Sequence, residues 1–75
     1  MKYVEMMQAT PDELNRYFTV TRGLSYNNAR MAQHTSPNSY ANRKLANQQG
    51  FLLRQIDMLI SVARKRGFRL EIVTD

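Results

Sequence analysis

The chain has no cysteine and no tryptophan, one histidine, three glycines and two prolines. Without cysteine there is no disulfide framework, no thiolate zinc or iron–sulfur site and no thiol nucleophile. His34 stands alone in a polar turn, so one chain builds neither a metal site nor a Cys–His pair. Gly23, Gly50 and Gly67 lie far apart, which excludes a glycine-rich phosphate cradle. Asp12 and Glu13 fit first-turn helix caps better than an acid–base pair. With 75 residues there is little core in which to hollow a pocket, and the chain is expected to be no enzyme and to carry no cofactor or metal.

Long hydrophobic runs are missing too. The opening MKYVEMMQA has neither the apolar run nor the small-residue cleavage site of a secretory signal. The most apolar window, 51–63, is shorter than the about 20 residues that span a bilayer, and Arg54 and Asp57 interrupt it. Its basic neighbours flank it instead of lining its polar face, unlike a helix lying on anionic lipid. A cytoplasmic, soluble, single domain over 1–75 is expected, with no membrane partner.

The scarcest feature is negative charge in the middle of the chain. Between Glu13 and Asp57 there is no acid, while Arg16, Arg22, Arg30, Arg43, Lys44 and Arg54 all fall there. A second basic group, Arg64, Lys65, Arg66 and Arg69, follows the apolar window. The net charge of +5 biases partners towards phosphates or acidic surfaces. Residues 25–49 add Asn27, Asn28, Gln33, Asn38, Asn42, Asn47, Gln48 and Gln49 with Tyr26 and Tyr40. Amides can contact base edges and tyrosines can stack on bases, although the same residues also cap helices and decorate solvated faces.

The pattern of what is present is mostly helical. Thr10-Pro11-Asp12-Glu13 is a capped helix start, Leu14, Tyr17 and Phe18 share a face, and Gly23 is placed to end a helix over about 11–22. Ser25 would then cap a short helix to about Gln33, with a turn at 34–36. From Pro37 to Arg66, Leu45, Gln49, Leu52, Ile56, Leu59, Ala63 and Arg66 alternate steps of four and three, the seam of a long helix. Gly50 is the point where that helix could kink or split, and Gly67 should stop it. Phe68 to Val73 alternates like a half-buried strand, and Tyr3 to Met7 is a candidate strand to pair with it. The expected fold is therefore a small mostly α domain with a long C-terminal helix and short terminal β-strands.

Two DNA-binding patterns were compared with the residues. A helix-turn-helix over 32–45 lacks the required spacing, since Ser36 and Asn42 occupy the turn-glycine and aliphatic positions counted from Ala32. The first 35 residues are similar to the ribbon-helix-helix family in order: a short possible strand, Pro11-Asp12-Glu13-Leu14, then Arg22-Gly23-Leu24-Ser25. They depart from it in a first helix about one turn short, in Arg30 at an aliphatic position, and in Val4 and Met6 on one strand face. No family membership follows.

Because a thin core scarcely offsets the entropy of ordering the chain, self-association is expected, as a dimer through Leu45, Leu52, Ile56, Leu59, Ile60 and Ala63. The expected function is binding of nucleic acid, DNA or RNA, by Arg30, Arg43, Lys44, Arg54, Arg64, Lys65 and Arg66. The alternative is a protein-interaction module, such as an adaptor, assembly subunit or inhibitor, that docks on an acidic partner protein.

Overall fold

The computed structural model describes residues 1–74 and contains three helices, α1 (Tyr3–Gln8), α2 (Pro11–Gln33) and α3 (Tyr40–Arg66). The long α2 and α3 form an antiparallel hairpin. The short α1 and a C-terminal tail, 67–74, pack against its open end.

Local chemistry sets most of the helix ends. The Thr10 hydroxyl accepts the Glu13 amide at 3.1 Å and Pro11 occupies the first turn, so α2 starts where the sequence signal lies. The Ser39 hydroxyl accepts the Asn42 amide at 3.1 Å, which starts α3 at Tyr40 and leaves Pro37 in the turn. At the far end Gly67 has φ 82°, and the Phe68 amide bonds to the Ala63 carbonyl at 3.0 Å while the Gly67 amide bonds to Arg64. That is a Schellman stop, for which glycine is the natural residue.

Three sequence expectations are corrected, at Gly23, at Ser25 and over residues 3–7, and the question left open at Gly50 is answered. Gly23 does not end a helix, and α2 runs unbroken through it. The about 1 kcal/mol cost of a mid-helix glycine is outweighed by packing on both sides of it. Thr21 and Ser25 are buried against α3, and Ser25 accepts a bond from Gln49 Nε2 at 2.8 Å instead of capping a new helix. Likewise α3 continues through Gly50. Residues 3–7 are helical, with the Lys2 amide bonded to Glu5 Oε1 at 2.9 Å and Met6 fully buried, so no ribbon strand of the ribbon-helix-helix kind exists there.

The tail is not a strand either, because among the described residues there is none for it to pair with. Its alternation serves a helix instead. The Glu71 and Val73 amides, two residues apart, donate to Asn15 Oδ1 and Thr19 Oγ1, four apart on α2, at 2.9 and 2.8 Å. Two residues of extended chain and four of helix both advance about 6 Å, so the registers match. Phe68 and Leu70 turn towards the core on the same alternation.

The core lies at one end of the hairpin. Met6, Ala9, Leu14, Leu59 and Val62 form it, with Ala63 buried beside them and Met1, Tyr17, Phe18, Met58, Phe68 and Leu70 around them. This end is called the base here, and the remainder of the hairpin, about 20–33 and 40–54, the arm. The α3 seam faces α2 of the same chain. Leu59 and Ala63 are thus spent inside the subunit, while Leu45, Leu52, Ile56 and Ile60 are half-buried. Among the described residues no helix is long and apolar enough to cross a membrane.

Candidate nucleic-acid interface

The arm has a polar seam. Ser25 meets Gln49, and Asn42 Nδ2 bonds to the Ala32 carbonyl at 3.2 Å and to Thr35 Oγ1 at 3.0 Å. Asn28 Nδ2 and Gln49 Oε1 are buried with no hydrogen-bond partner among the described residues. No large apolar side chain of the arm is fully buried; Leu24, Tyr26, Met31, Tyr40, Phe51 and Leu53 all stand exposed.

Charge divides at the same boundary. Over 1–16 and 57–75, Lys2, Arg16, Arg64, Lys65, Arg66 and Arg69 match Glu5, Asp12, Glu13, Asp57, Glu71 and Asp75 in number. Arg22, Arg30, Arg43, Lys44 and Arg54 have no such counterweight, so formally the whole +5 belongs to the arm. Among the described residues the one ion pair is Arg16 with Asp12 at 3.2 Å, in the base. The five cations of the arm keep their fields unneutralised.

Their placement follows from helical spacing. Arg43, Asn47, Gly50 and Arg54 stand at i, i+4, i+7 and i+11 of α3, one face of the helix offset from the seam, with Asn47 at the edge of the groove between α3 and α2. Arg43, Asn47 and Arg54 are exposed. A Cβ on Gly50 would meet only the Arg54 guanidinium, at 3.9 Å, so nothing in the fold requires glycine there. Lys44 lies on a neighbouring face. Arg30 is on the α2 side, its guanidinium 5.9 Å from the Tyr26 ring centroid, a cation–π distance. Arg22, absent from the sequence-derived site, borders a hollow with Thr19, Gly23, Tyr26 and Ile72; its membership of the acid-free stretch was the available signal.

The C-terminal cluster divides. Arg64 and Lys65 are exposed, with Lys65 Nζ 3.3 Å from the Tyr3 hydroxyl. Arg66 turns inward, and its Nη1 donates to the carbonyls of Met6 at 2.9 Å and Ala9 at 2.6 Å. Its guanidinium also lies 5.4 Å from the Phe68 ring centroid. That holds the end of α1, a structural use of the charge. Lys65 is 22 residues from Arg43, about 33 Å along the helix, so the base and arm cations do not form one compact patch.

His34 is exposed at the tip, and among the described residues no three His, Cys, Asp or Glu side chains converge on a possible metal position. No protein-family model, curated protein or solved structure matches the chain.

Proposed function

We propose that the protein is a non-enzymatic nucleic-acid-binding protein that uses the arm, with the α3 edge of Arg43, Asn47, Gly50 and Arg54 against the phosphate backbone. The observation that carries this reading is the arm's run of cations without a carboxylate. Arginine forks suit phosphate oxygens, the Asn47 amide can donate beside them, and bare backbone at Gly50 permits close approach. Arg22, Arg30 and Lys44 add long-range attraction, and Arg64 and Lys65 extend it towards the base. Arg66 is left out of the contacting set because its Nη1 is engaged by two carbonyls within the chain.

The test is a titration of labelled DNA and RNA oligonucleotides at several salt concentrations. Each phosphate contact adds about 0.9 to the slope of log affinity against log salt on duplex DNA, so the Arg43→Ala, Arg54→Ala double variant should lower that slope by about two. Affinity indifferent to salt overturns the reading. A second reading, docking on an acidic protein, is favoured by the exposed apolar residues that accompany the cations, Leu53 beside Arg54 and Tyr26 beneath Arg30. One stoichiometric protein co-purifying without nucleic acid decides for it.

A further inference from the structure

Between α2 and α3 the arm leaves an open groove of about 490 Å³ lined by Leu24, Asn28, Asn47, Gln48, Phe51 and Leu52. Leu24 is 51% and Phe51 53% exposed, and Met31, seven residues beyond Leu24 on the same face of α2, is 55% exposed. We propose that this groove takes a single strand of nucleic acid, with its phosphates on the α3 edge and a base unstacked over Phe51. The site rests on the nucleic-acid reading of the arm and narrows the ligand to strands whose bases are free.

Charge falls on one edge of the groove. Arg43, Asn47, Phe51 and Arg54 stand at i, i+4, i+8 and i+11 of α3, so two exposed arginines flank the aromatic wall along the helix. Neither pairs with a carboxylate among the described residues. Lys44, seven residues before Phe51, adds a third cation at the tip end. The α2 edge has none. Arg22 and Arg30 share a face with Tyr26, at i, i+8 and i+4, on the side of α2 away from Leu24. A single strand has the matching asymmetry, a line of phosphates along one side and flat base faces on the other. A duplex carries phosphates on both edges, with its bases stacked between them.

Width keeps a duplex out of the groove. Two packed helices, each about 10 Å across, make a face about 20 Å wide, whereas the major groove of duplex DNA is about 12 Å wide. The Arg43–Arg54 edge can touch duplex phosphates, but the groove behind it meets no base. These two arginines are 11 residues apart, about 16 Å along α3, room for a few nucleotides of one strand.

The polar residues of the wall favour a strand over a peptide. Asn47 and Gln48 are exposed amides, and an unpaired base offers donors and acceptors on its Watson–Crick edge. An acidic amphipathic helix would match the cations, yet it docks by an apolar face and its backbone groups are already bonded, which leaves these amides without partners.

The test uses the full chain and labelled strands of about 12 nucleotides without self-complementarity, DNA and RNA, each also as its duplex. At one moderate salt concentration the single strands should bind at least several-fold more tightly than the duplexes. Phe51→Leu should weaken single-strand binding at least about five-fold, because a stacking face is lost. Its helical circular dichroism, duplex binding and salt slope should stay as in the parent. Tyr26→Leu, which removes an exposed aromatic from the opposite face, should leave single-strand affinity unchanged. Since the chain has no tryptophan, Phe51→Trp gives an indole signal from the groove alone. Single strands should quench that signal and duplexes should not. Duplexes bound as tightly as single strands, or undiminished single-strand binding by Phe51→Leu, overturns the site while salt-dependent affinity keeps the functional reading. Affinity indifferent to salt overturns both. Quenching by a helical peptide rich in Glu and Leu, and by no single strand, gives the groove to a protein and also overturns the site.

Discussion

The two ends of the hairpin are made from the same pair of helices and are stabilised in opposite ways. At the base, apolar side chains point inward, α1 covers one side and the tail the other, cations and carboxylates balance, and Arg66 is bonded into the structure. In the arm, amides and hydroxyls point inward, most large apolar side chains stand exposed while Leu45 and Leu52 are half-buried, and every charge is positive. Folding free energy comes chiefly from apolar burial, so the base holds the fold and the arm is carried by it. A surface that stabilises little of its own chain is available to stabilise a complex.

The comparison is tested first where its effect should be largest. Leu59→Ala removes a fully buried side chain between α1, α2 and α3 and should cost about 2–5 kcal/mol in urea unfolding. Leu53→Ala, in the arm and 48% exposed, should change stability by less than about 0.5 kcal/mol. Similar costs at the two positions would mean that the arm has a core of its own.

Next in size is the division among arginines. Arg66→Met keeps the aliphatic stem over Phe68 but leaves the Met6 and Ala9 carbonyls without their donor, and should cost about 1–3 kcal/mol. Arg54→Met removes a charge that touches no acid and should leave stability within about 0.5 kcal/mol. In the binding titration the order should reverse, Arg54→Met losing affinity and Arg66→Met, where folded, keeping it.

The division explains what could be inferred from the residues alone. Thr10-Pro11 and Gly67 act within a few residues of themselves, so the start of α2 and the end of α3 were legible. The α3 seam was legible too, because its period is a property of one helix; its partner was not, since an apolar stripe suits α2 of the same chain as well as a second chain. Gly23 misled because its stop signal is weighed against burial of Thr21 and Ser25, which only the tertiary pairing creates. The tail misled because alternation reports a two-residue repeat without saying whether a strand or the Asn15 and Thr19 side chains will meet it. The charge asymmetry survived folding, since it depends on composition along the chain. The inward turn of Arg66 did not show, because the α1 carbonyls it bonds lie 57 and 60 residues away.

The smallest effect is the most discriminating, because it sets glycines of the two ends against each other. At the base, Gly67 holds φ 82°, and Gly67→Ala should cost about 1 kcal/mol although the added methyl meets nothing within 4 Å. In the arm, Gly23 has the same open surroundings with no positive φ, and Gly23→Ala should instead raise stability by about 0.5–1 kcal/mol. Gly50→Ala should do likewise, its methyl in ordinary contact with Arg54. The fold therefore gains nothing from either arm glycine. At Gly50, which lies between Arg43 and Arg54 on one helix face, a larger side chain separates the two readings of the residue. If phosphates approach the backbone there, Gly50→Leu should unfold at higher urea than the parent chain yet bind nucleic acid more weakly. Unchanged binding in the stabilised variant would remove Gly50 from the interface and leave the arginines to act through charge alone.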